Sequence, residues 1–316
     1  MKKFLLHIIL FSCILLTIAL LFDAFLTQRA MRIRTSPFAA WNDIYHDSIH
    51  SDVLVMGSSR AYVHFNPAVI DTILHVNSYN LGMNGRPADA QIIRYHVYRK
   101  HGYPKPKLIL YEVSHGTMQK SNGYERDQFV PYLPLDKNLW KSCHKLEHFS
   151  WPDRFIPCWR YLGRQDLMRK LITSSSSASK DYNTNLYKGF HGFDKKWDGN
   201  ALKKQASVTY TKDSTILRQF QEFLTECRQE DIPVVLIVSP FYIGGTEKMS
   251  DYAGMHNMFA EIAHKNGIPL LDYTYDELSY DTTYFYNTMH LNKTGANLFS
   301  EKVAHAIDSL GVLKMD

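Results

Sequence analysis

Residues 52–60 read Asp52-Val53-Leu54-Val55-Met56-Gly57-Ser58-Ser59-Arg60, a short apolar run that ends in a glycine turn carrying two serines. Such a run is expected of a strand buried on both faces of a parallel sheet. Four further runs follow the same rule: Val76 to Leu81, Lys107 to Val113, Pro233 to Val238 and Ile268 to Asp272. Between them lie segments of helical period. Pro87 to His101 offers Ile92, Ile93, Tyr95, His96 and Val97 as an apolar face, and Ser214 to Glu230 carries Leu217, Phe220, Phe223 and Leu224. Helices are also expected over Tyr252–Asn266 and Lys293–Leu310. Strand–helix alternation of this kind predicts an α/β fold, a three-layer α/β/α sandwich on a parallel sheet.

The chain has 316 residues, 45% apolar and 21% charged, enough to bury a large core. Its net charge of +5 arises from 36 basic and 31 acidic residues dispersed along the sequence. That excludes the basic stripe of a nucleic-acid binder. Four cysteines over this length exclude a disulfide scaffold.

Phe4 to Phe22 has no formal charge and follows Met1-Lys2-Lys3. At ~1.5 Å per residue such a helix nearly spans a hydrocarbon layer of about 30 Å. The run ends in Leu21-Phe22-Asp23-Ala24-Phe25-Leu26, without a small-x-small cleavage site, so residues 1–34 are expected to be an uncleaved signal anchor and juxtamembrane stretch, with cleavage as the alternative. Lys2 and Lys3 favour a cytoplasmic N-terminus, while Arg29, Arg32 and Arg34 pull the other way. The leader-type placement, with residues 35–316 on the extracytoplasmic side of the cytoplasmic membrane, is the expectation. There Cys143 and Cys158 have the choice of pairing or remaining thiols.

Residues 114–213 interrupt the α/β pattern. They are rich in Tyr, Trp, Pro and His and include the low-complexity run Ser174-Ser175-Ser176-Ser177. An insertion after the carboxyl end of a strand lies at the edge where open α/β sheets bind ligands, and this one is expected to form a cap.

Three short segments carry the chemistry. Ser59 stands on the turn after the first strand, among backbone N–H groups, as a nucleophilic serine must. Asn80-Leu81-Gly82-Met83-Asn84-Gly85 follows the second strand, and its glycines bring the backbone close to a ligand. The Gly82 N–H or the Asn84 amide is the expected donor to an oxyanion. Asn287-Thr288-Met289-His290-Leu291-Asn292 precedes the last helix and brings His290 within reach of Ser59.

Together these segments resemble the SGNH (GDSL-like) hydrolase superfamily. Gly57-Ser58-Ser59 is similar to its first block, Asn80-x-Gly82-x-x-Gly85 to its second and Asn287-x-x-His290 to its last. The resemblance covers about residues 50–113 and 233–310. It implies Ser59 as nucleophile, His290 as base, oxyanion donors from the Gly82–Gly85 segment, and no metal or organic cofactor. With the anchor, the chain most resembles the membrane-bound subset that includes the D-alanyl transfer protein of teichoic acid synthesis and the alginate O-acetyltransferase-like proteins. That subset implies a cell-envelope polysaccharide or acyl donor as partner, beside a multi-pass membrane-bound O-acyltransferase.

The chain departs from the family at two places. Tyr111-Glu112-Val113-Ser114-His115-Gly116 stands where a Gly-x-Asn-Asp block would supply a further oxyanion donor. Asn287 stands where the triad aspartate is usual, with Glu112, Asp272 and Asp281 as candidate substitutes. In an aspartate triad that exchange costs ~10⁴ in rate, partly through the wrong imidazole tautomer. A degenerate, non-catalytic binder is therefore the second expectation. Arg60, beside the nucleophile, is expected either to steer an anionic polymer or to form a structural salt bridge. His144-Lys145-Leu146-Glu147-His148 matches a zinc-site spacing, and is read as a solvated helix because the stretch is short, bounded by Pro134 and Pro152, and fifteen histidines make chance matches expected.

Overall fold

The computed structural model describes residues 1–46, 49–120, 123, 125–173, 186–205, 207–209 and 211–313; the serine run at 174–177 lies outside them. The chain divides into two compact units, residues 43–124 with 184–316 and residues 1–42 with 125–183. Residues 114–213 are thereby shared between the two.

The first of these units is the α/β unit. Its five-stranded sheet is built from β1 (Val53–Met56), β2 (Ser78–Asn80), β3 (Leu108–Glu112), β7 (Val234–Val238) and β9 (Leu270–Asp272). The order is β2-β1-β3-β7-β9, and every pairing is parallel. All residues of β1, β3 and β7 are buried, which is why these strands read as continuous apolar runs rather than alternating ones. Two small sheets accompany it, β4 (Leu186–Tyr187) with β5 (Phe190–His191), and β6 (Val208–Thr209) with β8 (Met249–Ser250).

Helices cover both faces of the large sheet. On one, Val53, Val55, Leu108, Leu110, Val235 and Ile237 meet Phe65, Ile70, Phe299, Val303 and Ile307 from the helices Ser59–His64, Pro67–Leu74 and Lys293–Leu310 and their flanks. On the other, Tyr111 lies edge-on to Phe220 and Phe223 of the helix Ser214–Gln229, and Tyr95 of the helix Ala88–Lys100 joins them. The helices Tyr252–Asn266 and Lys293–Leu310 have the bounds expected from their period. The strand order reverses direction between β1 and β3, so a crevice opens outside their carboxyl ends. Ser59 follows β1 and Ser114 follows β3 at that edge.

The second unit joins the N-terminal helix, Lys2–Met31, to residues 125–173. That helix is long and apolar enough to cross a membrane, and its most apolar stretch is buried nowhere in the unit. Its last turns differ. Leu26, Thr27 and Ala30 are buried, and Asp23 pairs with Arg160 at 2.6 Å. Cys143 and Cys158 are both free thiols; Cys143 is buried, and the Cys158 Sγ donates to the Ala19 carbonyl. The helix Lys137–Leu146 ends before His148, which has φ 54°, so His144 and His148 do not share a helical turn.

Phe299 is the hub of the lower face, fully buried against the rings of Phe65 at 5.2 Å and Tyr273 at 5.1 Å. Phe299→Ala is expected to lower the unfolding free energy by about 3–5 kcal/mol, the cost of a large aromatic cavity, measured by denaturant titration.

Candidate active site

Gly57 turns the chain out of β1 at φ 140°, and a side chain there would strike the Glu112 backbone and Cβ at 2.8 Å. That close approach sets Ser58 and Ser59 directly beside the end of β3. Ser59 opens the helix Ser59–His64. Its Oγ lies 2.8 Å from His290 Nε2, and His290 Nδ1 lies 3.1 Å from Asn287 Oδ1. The three residues brought together by the sequence reading therefore form one hydrogen-bonded line.

The identity of the Asn287 atom facing the imidazole follows from its other contacts. Oδ1 also accepts the backbone N–H groups of Met289 and His290, both at 2.9 Å. An amide NH₂ accepts nothing, so the oxygen is fixed in place. It requires a proton on His290 Nδ1 and leaves the Nε2 lone pair for the Ser59 hydroxyl. Tyr286 stacks on the imidazole with centroids 5.5 Å apart and planes at 8°. Phe193 packs on Tyr286 in turn, at 5.2 Å.

Beneath Ser59 lies a buried polar network. The Glu112 carboxylate, fully buried, accepts Arg60 Nε at 2.8 Å, Ser58 Oγ at 3.4 Å and Ser239 Oγ at 3.3 Å. His64 Nε2 accepts the Leu291 N–H at 3.0 Å, so its Nδ1 carries the proton and donates to Ser239 Oγ at 3.0 Å. The helix that Ser59 opens, the ends of β3 and β7 and the loop of His290 are thus joined by one chain of hydrogen bonds.

A cavity of about 260 Å³ opens beside Ser59. Ser59, Arg60, Gly85, Arg86, His115 and Lys120 are on its wall, and among the described residues no Asp or Glu is. Arg60 Nη2 and His115 Nδ1 are buried without a hydrogen-bond partner among the described residues. Burial, the Arg60 guanidinium and His115 push His290 down to about 3. Burial and Arg60 push His115 down to about 4, and burial, Arg60 and His290 hold His64 well below its ordinary 6.5. All three imidazoles are neutral at neutral pH.

Some expected roles are relocated. The Gly82 N–H is engaged by Asn80 Oδ1 at 2.9 Å, so it is not the free donor anticipated. Gly82 is required instead because a Cβ would lie 2.5 Å from the Tyr62 nitrogen. Asn84 is not on the cavity wall, whereas Gly85 is, at φ 64°. Arg60 makes the structural salt bridge and also reaches the cavity. None of the three substitute carboxylates backs His290. Glu112 holds Arg60, Asp272 Oδ2 pairs with His256 Nδ1 at 2.8 Å, and Asp281 caps the turn at Thr283. The sequence reading missed His64, Ser239 and His115. Glu112 carried a signal, a carboxylate ending a strand otherwise wholly apolar or aromatic. His64 stands one helical turn after Arg60, a spacing that puts both on one face.

No protein-family model and no curated protein matches the chain. Solved structures similar to it include a protein of the lipolytic G-D-S-L family from Desulfitobacterium hafniense, with 11% identity over 80% of this chain and 97% of that one, at a TM-score of 0.42. An acylhydrolase from Bacteroides fragilis matches with 11% identity over 82% and 86%, at 0.40. An acetyl xylan esterase matches with 12% identity over 81% and 99%, at 0.43. No residue role rests on these likenesses.

A depressed imidazole pKa has a consequence for stability. The unfolded chain takes up protons near pH 6.5 and the native site does not, so stability is complete above that pH and falls as pH drops below it. The fully buried His64 is expected to contribute up to about 1.4 kcal/mol per pH unit. Thermal unfolding followed from pH 7 to pH 5 should show a falling midpoint, and a flat midpoint would contradict neutral burial.

Proposed function

We propose that the protein is an acyltransferase or esterase that works through a Ser59 acyl-enzyme on acyl esters of a cell-envelope polysaccharide. The hydrogen-bonded line Ser59–His290–Asn287, at 2.8 and 3.1 Å, carries this reading. His290 Nε2 takes the Ser59 proton as Oγ attacks the acyl carbonyl, and returns it to the departing alcohol. A sugar hydroxyl, or water in an esterase, then gives its proton to Nε2 and attacks the acyl-serine carbonyl, and Nε2 passes that proton to Oγ as the acyl–serine bond breaks. The backbone N–H groups of Ser59 and Gly85 are the proposed oxyanion donors. Asn287 stabilises the transient imidazolium by its carbonyl dipole alone. Its locked oxygen removes the tautomer part of the penalty that an asparagine imposes elsewhere.

Arg60, Arg86 and Lys120 on a wall without carboxylates favour a substrate that carries an anionic group. The N-terminal helix supports a single-pass anchor in the cytoplasmic membrane with the α/β unit outside, where a multi-pass O-acyltransferase is the proposed partner. A non-catalytic binder is the second reading, favoured by the absence of a carboxylate behind His290 and disfavoured by the Ser59–His290 contact.

The test is a burst assay with p-nitrophenyl acetate on the detergent-solubilised full chain. Wild type is expected to give a burst of up to one equivalent, and Ser59→Ala none. A folded wild type that neither bursts nor acylates Ser59 in the presence of acetylated polysaccharide would leave the binder. Asn287→Asp keeps all three acceptor contacts and adds charge, so acylation is expected to accelerate by about tenfold or more, within the ~10⁴ range of such exchanges. The added carboxylate raises the His290 pKa. The acid limb of the rate profile in Asn287→Asp should therefore lie at higher pH than in wild type, whose rate should stay level from pH 8 to pH 5.

A further inference from the structure

The unit built on the N-terminal helix exposes a set of large apolar side chains that a water-facing surface does not need. Trp151 is 58% exposed, Phe155 54%, Ile156 36%, Trp159 43% and Leu162 60%. They come from one short stretch. Trp151 and Phe155 lie within the helix Trp151–Phe155, with ring centroids 5.5 Å apart.

Where this stretch meets the N-terminal helix is fixed by hydrogen bonds. The Cys158 N–H donates to Asp23 Oδ1 at 2.7 Å, and Cys158 Sγ donates to the Ala19 carbonyl at 3.3 Å. Arg160 Nη2 donates to Asp23 Oδ2 at 2.6 Å and to Thr27 Oγ1 at 2.9 Å. Asp23 is the first charge after the run Phe4–Phe22, so it marks the level at which the helix leaves hydrocarbon. Neighbouring Cα atoms are ~3.8 Å apart, so Ile156 and Trp159 lie within about 8 Å of Cys158, at that same level.

The charges nearby agree. Between Trp151 and Gln165 the one carboxylate, Asp153, is buried and caps the Ser150 N–H at 2.6 Å. The other charges of the stretch, Arg154, Arg160 and Arg164, are basic, and the half-buried Arg154 guanidinium lies over the Phe155 ring at 5.3 Å. Within residues 151–165, aromatic side chains with basic neighbours suit the headgroup layer of a bilayer.

Resting on the anchor reading of the proposed function, we propose that Trp151, Phe155, Ile156, Trp159 and Leu162 form a collar inserted in the interface of the bilayer that the N-terminal helix would cross. The occupant is lipid because the helix already brings the bilayer to this level. The collar sets the unit against the membrane surface instead of leaving it on a free stalk.

Tryptophan depth decides the matter, independently of any enzymatic activity. The full chain is reconstituted in phosphatidylcholine nanodiscs whose acyl chains are brominated either near the headgroup or near the chain end. Tryptophan emission is expected to be quenched, with shallow bromines about twofold more effective than deep ones, as for side chains held at the interface. Trp151→Phe with Trp159→Phe should abolish the quenching while circular dichroism is unchanged. Equal emission in brominated and plain nanodiscs would overturn the proposal in the unaltered protein, and would leave a protein partner as the cover of the patch. Quenching that survives the double substitution would overturn it as well.

Discussion

The Arg60–Glu112 ion pair is the constraint on which the site depends. Both side chains are withdrawn from water, Arg60 to 2% exposure and Glu112 to none. Two such charges are tolerated only because each completes the other and because Ser58 and Ser239 supply further donors to the carboxylate. Removing either partner would strand the other as an uncompensated charge, a far larger loss than that of an exposed pair. The pair therefore fixes the helix that begins at Ser59 against the end of β3. Through Ser239 and His64 the same constraint reaches the Leu291 N–H, one residue from the imidazole. Ser59 and His290 come from opposite ends of the unit's sequence, and this network holds them in register.

The pair also sets the electrostatics above it. Arg60 lies close enough to His64, His115 and His290 to oppose a second positive charge on any of them. A carboxylate behind His290 would counter that effect, and the chain has an asparagine there. The imidazole is consequently a weak base, with its Nδ1 proton held toward Asn287 and its Nε2 lone pair toward Ser59.

Much of this is legible in the sequence. Strands buried on both faces announce themselves as unbroken apolar runs, and Ser59, Asn287 and His290 stand in segments whose order along an α/β chain brings them to one edge. What the sequence did not disclose is which hydrogen bond each polar group makes. Gly82 and Gly85 look alike in a glycine-rich turn, yet the first gives its N–H to Asn80 and the second faces the cavity. Glu112, Asp272 and Asp281 were equivalent candidates until Arg60, His256 and the Thr283 turn were seen to occupy them. His64 is an ordinary helical histidine until the Leu291 N–H is placed on it. These distinctions depend on the folded arrangement, and their separations run from two residues for Gly82 and Asn80 to 227 for His64 and Leu291.

The Asp23–Arg160 ion pair joins residues separated by 137 positions, and Arg29 meets the Leu171 carbonyl across 142. The whole first half of the α/β sheet is encoded between them. During synthesis the N-terminal helix emerges first, and β1, β2 and β3 follow before the segment that packs on it exists. Closure of so long a loop is slow relative to local helix formation. Residues 125–173 in turn emerge before β7, β9 and the helix Lys293–Leu310, so the partners of the two units alternate along the chain.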